Sequence, residues 1–182
     1  MKLFLLSCAL VAVAVADNIR VEYRLVDYSN PGSVLADGKT KCERSGPCDP
    51  KLTGEVDVTS SALNAWPDDK KVAKWVTIFQ KKSTDKDRVG KIVSRDICDG
   101  NFRKSNLRVQ AMDVNTFSSN KEIQQFECLI SGGQRDVASS EQRAQWSEPK
   151  RCDQKYTKPG NAQLTYQWRV YSIPSRECGR QL

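Results

Sequence analysis

Cysteine is the residue type whose chemistry is most informative in this sequence, because histidine is absent. The 182 residues contain seven Cys and no His. A chain without His has no Ser-His-Asp or Cys-His catalytic pair, no His-ligated zinc site, and no side chain with an unperturbed pKa near neutrality. The C-x-x-C spacing of a zinc site is missing as well. We therefore expect a protein that binds and is not an enzyme.

The N-terminal segment 1–16 predicts export. Met1-Lys2 is a short basic start, an almost entirely apolar run follows to Val15, and Ala14-Val15-Ala16 has the small-x-small pattern of a signal-peptidase site. The apolar run is shorter than the ~20 residues that a membrane-spanning helix needs. The sequence therefore predicts a secreted, extracellular product that begins at Asp17.

Removal of the signal peptide takes away Cys8 and leaves an even number of cysteines. An even number in an exported chain predicts three disulfides. Cys42 and Cys48 are close enough in sequence to close one loop. Cys98 with Cys128, and Cys152 with Cys178, is the simplest completion among the many pairings that the sequence leaves open. The six are Cys42, Cys48, Cys98, Cys128, Cys152 and Cys178.

Pairs of aspartates stand in turn-like segments and could bind calcium. Asp68 and Asp69 follow Trp66-Pro67, and Asp85 and Asp87 flank a lysine. Calcium is bound by hard oxygen ligands, which a chain without His can supply. The ion needs several oxygens from different loops, however, and the lysines beside both pairs weaken the negative field. Calcium ligands and ordinary solvated turn acids both remain open.

Basic residues are concentrated between positions 70 and 91. They could attract anionic lipid headgroups or sulfated glycans, at about 1 kcal/mol for each charge near an anionic membrane, or simply form a solvated face. Trp66, in a predicted loop, could insert into a bilayer or a partner, or cap the core. Trp66, Lys70, Lys71 and Lys74 are therefore the candidate membrane or partner residues. The wider basic set also includes Lys81, Lys82, Lys86, Arg88 and Lys91.

The segments that must position these residues show the two-residue period of β-strands. In 19–28, Val21, Tyr23 and Leu25 alternate with charged residues, which predicts one core face and one solvated face. Segment 131–162 is polar and predicts a long loop. No helical period of convincing length appears. The pattern indicates an all-β, disulfide-stapled antiparallel sandwich. Its predicted strands are 19–28, 55–59, 74–79, 89–93, 106–113, 123–130 and 163–171.

A series of segments, taken in order, resembles the N-terminal domain of Notch ligands of the Delta and Serrate/Jagged type. The resemblance covers residues 17–172. It rests on the opening strand Val21–Leu25, the Asn30/Gly32 turn, Gly38 with Cys42, Cys48-Asp49-Pro50, Leu107–Asp113, Trp146 and the closing strand Leu164–Tyr171.

This resemblance implies a domain of the C2 type, an eight-stranded sandwich whose loops at one end meet phospholipid, often with calcium. Asp113 and Asn115 match the family's calcium-loop position, and Asp68 and Asp69 are further candidates. The chain departs from the family where adjacent cysteines are expected and only Cys42 is present. Residues 173–182 are expected to form a short tail. The Cys-rich receptor-binding module, the EGF repeats and the membrane anchor that follow this domain in Notch ligands are not expected here.

The sequence thus predicts a secreted binding module. Its partner would be a Notch-type cell-surface receptor or a membrane. The alternatives are a peripheral binder of anionic lipid or glycan, and a secreted defence or inhibitor protein. Nucleic acid is not expected as the partner of an exported chain, and the oligomeric state is left open.

Overall fold

A computed structural model of the chain describes residues 18–58, 66–115 and 118–179, so the predicted signal peptide lies outside the described residues. Within these ranges no helix is long and apolar enough to cross a membrane. One short helix, α1 (Asp69–Val72), lies between the second and third strands. The strands are β1 (Asn18–Ser29), β2 (Pro50–Asp57), β3 (Val76–Gln80), β4 (Lys86–Arg88), β5 (Ile92–Ile97), β6 (Lys104–Asp113), β7 (Lys121–Ser131), β8 (Lys150–Arg151), β9 (Asp153–Gln154) and β10 (Gln163–Ile173).

The strands form two antiparallel sheets. The first has the order β4-β1-β10-β8, with β5 also paired to β1, and the second has the order β3-β2-β6-β7-β9. β4 and β5 pair with successive parts of β1, so they are two halves of one interrupted edge strand. β8 and β9 flank Cys152 and are likewise two halves of a strand that crosses from one sheet to the other. Counted this way the sandwich has eight strands, as the C2 resemblance implies.

The hydrophobic core lies between the two sheets. Inward-facing residues of β1 meet those of the second sheet, and Val21, Leu52, Leu107 and Phe126 are fully buried. A side chain of this size contributes about 1.5–3 kcal/mol when it is removed from water. The alternation predicted for 19–28 is therefore confirmed on its core face.

The other face of β1 is not solvated, contrary to the prediction. Arg20 and Glu22 are only 5% and 7% exposed. Segment 134–149 covers this face, and Trp146 stacks with the guanidinium groups of Arg24 and Arg169 at 4.4 and 4.6 Å. Arg169 also pairs with Glu22 at 2.6 Å. The charged face of β1 is thus the floor of a second packed layer.

Some strand bounds differ from the prediction for identifiable reasons. Predicted strand 89–93 falls on the break between β4 and β5, where Gly90 has φ +63° and turns the chain. Predicted strand 55–59 corresponds to the end of the longer β2, whose start Pro50 obscures, and residue 59 lies outside the described residues. The predicted loop 131–162 contains β8 and β9, which are too short to show alternation.

The three disulfides form, but two of the pairings differ from the simplest completion. Cys42–Cys48 is confirmed, whereas Cys98 pairs with Cys178 and Cys128 with Cys152. The register explains the correction. β1 places Ile19 opposite Ile97 and Asn18 opposite Ile173, so the residues after β5 and β10 emerge side by side. The described part of the tail is therefore held beside β5 through Cys178.

Candidate functional site

Four connections meet at one end of the sandwich, which we call the loop end. They are 30–49, 81–85, 114–120 and 155–162, and residues 116 and 117 lie outside the described part of the chain. The register brings them together, because Ser29 pairs with both Gln163 and Lys86, while Pro50 pairs with Asp113. Backbone hydrogen bonds then join the connections: Asn30 N donates to Asp85 O at 2.6 Å, and Gly32 N to Gly160 O at 3.1 Å.

The first connection is closed on itself at the centre of the loop end. The Cys42–Cys48 disulfide is buried. The fully buried Asn30 side chain donates to the Val34 carbonyl at 3.0 Å and contacts Cys48 Sγ at 3.1 Å. Because the amide occupies the space beside the sulfurs, this loop has a packed interior.

Three carboxylates from different segments point into this centre. Asp113, fully buried, accepts from Asp49 N at 2.8 Å through Oδ1 and from Asn115 Nδ2 at 3.2 Å through Oδ2. Asp85 accepts from Cys48 N at 3.2 Å and from the Ser33 hydroxyl. Asp49 in turn accepts from Ser83 N at 2.6 Å. The acids therefore fasten three loops to one another.

Tyr28 lies beneath these acids. Its side chain is fully buried, and its hydroxyl has no hydrogen-bond partner within the described ranges. Burial raises the pKa of Tyr28 well above its usual range, and the negative charges of Asp85 and Asp113 raise it further. The phenol is therefore neutral at any physiological pH.

The residues at this end do not fit a calcium ion. Calcium takes about 6–8 oxygen ligands. In the described part of the chain, the carboxylate oxygens of Asp49, Asp85 and Asp113 do not come within 4.8 Å of one another as a group. The set that does is Cys42, Cys48 and Asp113. Both of its sulfurs are joined in the disulfide, so neither is a thiolate that could bind a metal.

The predicted calcium residues are divided between two places. Asp113 and Asn115 are together at the loop end, with Asp85 nearby. Asp68 and Asp69 belong to the connection from β2 to β3, and Asp69 lines a groove on the outer face of the second sheet together with Met112 and Asn120. Asp68 caps α1 by accepting from Lys71 N at 3.0 Å. The structure therefore does not bring Asp68 and Asp69 to Asp113.

The outward surface of the loop end is cationic. The connections and the strand residues next to them carry many exposed basic side chains. Within the described residues of the four connections, the acidic side chain that is exposed is Asp37. The Asp37 carboxylate accepts from the Thr40 hydroxyl and from the Lys39 and Thr40 amides, which lower its pKa to about 2. Lys81 is exposed but pairs with Asp87, and the other exposed cations are Lys39, Lys41, Arg44, Lys82, Lys86, Lys121, Lys155 and Lys158.

A buried hydrogen-bond network holds the last of these connections. Gln124 donates to the Tyr156 carbonyl at 2.7 Å and accepts from its amide at 3.0 Å. Burial opposes ionisation of Glu122, yet hydrogen bonds from the Tyr156 hydroxyl and from Gln125 and Gln110 leave its pKa below the usual value. Ala36 N donates to the Glu122 carbonyl at 3.0 Å, so the network also reaches the first connection.

The predicted membrane or partner residues form a different surface. Trp66 packs edge-on against Trp75 with ring centroids 5.3 Å apart, so it covers a neighbour instead of projecting. Lys70, Lys71 and Lys74 are exposed on and after α1. A groove of about 320 Å³ runs beside them on the outer face of the second sheet. Its lining includes Lys51, Thr53, Asp69, Trp75, Gln110 and Met112. Asp68, Asp69 and Glu55 offset the lysines of this surface, which we call the α1 groove.

Sequence patterns predicted only part of the loop end. The acidic turn at Asp85 and the Cys48-Asp49-Pro50 segment were visible, but not their convergence on Asp113. The cations at 39, 41, 44, 121, 155 and 158 are scattered along the chain, and no local density marks them. Their common location follows from strand register, which sequence patterns do not provide.

No protein-family profile matches the sequence, and the comparison with curated proteins gives no match. The fold is shared with solved C2 structures. A C2 domain protein from Ramazzottius varieornatus has a TM-score of 0.73 at 24% identity, covering 92% of this chain and 96% of that one. The Drosophila fragment C2-DSL-EGF1 has a TM-score of 0.52 at 13% identity, covering 84% of this chain and 67% of the fragment. Human GIVD cytosolic phospholipase A2 has a TM-score of 0.54 at 10% identity; the match covers 88% of this chain but 17% of the enzyme. The chain is thus a C2-like antiparallel β-sandwich stapled by three disulfides.

Proposed function

We propose that this chain is a secreted, non-catalytic binding module that docks through its loop end on anionic phospholipid at a cell surface. The observation that carries the proposal is the difference in exposure between the charges at this end. Besides Lys81, eight Lys and Arg side chains are exposed there, whereas Asp49, Asp85 and Asp113 are buried or half-buried and accept hydrogen bonds from the loop residues around them.

The magnitude of the attraction is sufficient for reversible docking. Each Lys or Arg near an anionic membrane contributes about 1 kcal/mol, and the contribution falls off within a Debye length of ~10 Å at 0.1 M salt. Four such contacts acting together correspond to roughly a thousandfold in affinity. Binding of this kind weakens steeply as salt rises.

Two further features support the proposal. The segment 1–16 has the pattern of a secretory signal peptide, and three disulfides are typical of exported proteins. The same fold occurs in the human cytosolic phospholipase A2, whose name describes an enzyme that acts on phospholipid.

Co-sedimentation with liposomes tests the proposal. The oxidised protein should sediment with phosphatidylserine-containing vesicles at low salt, remain in solution with neutral vesicles, and be released by high salt. The loop-end variant changes Lys39, Lys82, Lys86 and Lys121 to Gln and should lose most of the binding. The control variant changes Lys70, Lys71, Lys74 and Lys104 to Gln. It removes the same charge from other surfaces and should bind like the wild type.

Three outcomes would contradict the proposal. Absence of sedimentation at low salt would remove the membrane function. Equal losses in the two variants would show an effect of net charge alone. Retention on heparin without any binding to liposomes would indicate that the partner is a sulfated glycan and not a phospholipid.

A second candidate function is a soluble modulator of Notch-type receptors. It is favoured by the ordered sequence resemblance across residues 17–172 and by the structural likeness to the Drosophila C2-DSL-EGF1 fragment. Such a modulator should be co-precipitated by a Notch ectodomain and should change the output of a Notch reporter cell. Lack of both effects at micromolar protein would count against this function.

A further inference from the structure

We infer that the loop end closes and docks without calcium, because a disulfide and inward-facing carboxylates already join the loops that an ion would otherwise bridge. The docking part of this inference rests on the proposed function. The closure part rests on the described contacts alone.

The carboxylate oxygens of Asp113 and Asp85 already accept hydrogen bonds. Both carboxylate oxygens of Asp113 have donors, the amide of Asp49 and the side chain of Asn115. Those of Asp85 accept from Cys48 N and the Ser33 hydroxyl. A metal ion that recruited these oxygens would compete with donors that are buried or half-buried, and leaving such a donor unpaired is unfavourable.

The first connection is closed covalently by a disulfide. Cys42–Cys48 fixes the loop that carries Asp49, and the buried Asn30 side chain fills the space beside it. Thr84 N donates to Cys48 O at 2.9 Å, and Val114 N donates to Asp49 O at 3.0 Å. The second and third connections are therefore held against the disulfide loop by the backbone as well as by side chains.

The exposed surface of the loop end carries positive charge. The cations around the loop end, among them Lys39, Lys82, Lys86 and Lys121, repel a divalent cation as it approaches and attract an anionic headgroup directly. An ion that neutralises acids before the surface meets a membrane is not needed here, since Asp49, Asp85 and Asp113 already accept hydrogen bonds from the loop residues around them.

The test compares the oxidised full-length secreted protein in calcium chloride and in EGTA. Its Tm should be the same in both, titration with calcium should give no binding heat, and liposome binding should be equal. Asp113→Ala should lower the Tm by the same number of degrees in calcium and in EGTA. Asp85→Asn serves the same comparison with a milder change, should Asp113→Ala fail to fold.

The inference is overturned by a Tm that rises with calcium in the wild type and does not rise in Asp85→Asn. Liposome binding that appears only when calcium is added also overturns it. A calcium-insensitive Tm without liposome binding in either solution would support the metal-free closure and contradict the proposed function, so the two failures are distinguishable.

Discussion

The Cys98–Cys178 disulfide is expected to contribute more to stability than either of the others. It joins residues separated by 80 positions, whereas the separations are 6 for Cys42–Cys48 and 24 for Cys128–Cys152. The chain-entropy relation gives about 4.5 kcal/mol for the longest loop, about 2 for the shortest and about 3.4 for the third. The structure thus predicts that, of the three disulfides, Cys98–Cys178 contributes most to the free energy of unfolding.

The same disulfide is also the most accessible to reductant. Cys98 is exposed and Cys178 is half-buried, while Cys42, Cys48, Cys128 and Cys152 are buried. Thiol–disulfide exchange needs direct access to a sulfur. A mild thiol reductant should therefore open this bond first.

Two measurements check the prediction. Urea denaturation of the Cys98→Ser/Cys178→Ser variant should show a free energy of unfolding lower by about 4 kcal/mol than that of the wild type. The comparison is the Cys42→Ser/Cys48→Ser variant, in which a chain-entropy loss of only about 2 kcal/mol adds to the cost of placing two hydroxyls at buried sulfur positions. Alkylation during graded reduction, read by mass spectrometry, should label Cys98 and Cys178 before the other four. Equal midpoints for the tail variant and the wild type, or a Cys98–Cys128 peptide in a non-reduced digest, would refute the reasoning.

Two other side-chain interactions give separate predictions. Asp96 pairs with Arg20 at 2.8 Å, both side chains are less than 10% exposed, and Asp96 also accepts from Gly179 N at 2.9 Å. Asp96→Ala should therefore lower the free energy of unfolding, measured by urea denaturation, by about 3–5 kcal/mol. A decrease of less than about 1 kcal/mol would contradict this. Since the folded-state pKa of Glu122 is lowered, its ionised form stabilises the fold above the ordinary value near 4.5, and this contribution is lost as pH falls through the lowered value. Glu122→Gln should therefore have a lower Tm than the wild type at pH 7, and the difference should shrink in acid; a difference that is constant with pH would contradict the assignment.

Local sequence patterns were enough to predict the architecture. The alternation of 19–28 and of 106–113 identified two central strands, because a strand with one buried face shows a two-residue period. The resemblance to Notch-ligand domains supplied the C2 type, which the solved structures of the same fold confirm. The number of disulfides followed from an even count of cysteines in a chain with a signal-peptide pattern.

The disulfide pairing and the candidate site were beyond local patterns. Cys98 and Cys178 become neighbours through the register of β1 with β5 and β10, which depends on long-range pairing. The solvated face expected for β1 is instead covered by a segment that starts over a hundred residues later, and Trp146 meets Arg24 there.

The sequence by itself therefore determined a disulfide-stapled β-sandwich with a positive net charge and predicted its export, because export pattern, cysteine count, strand period and charge are local or additive properties. The tertiary structure decided what the acids and cations do. Asp49, Asp85 and Asp113 are separated along the chain but are fastened to one another's loops, and the lysines of three connections share one surface with Lys86 and Lys121 of the adjacent strands. That arrangement depends on which strand ends are adjacent, and adjacency is set by packing and register between distant segments.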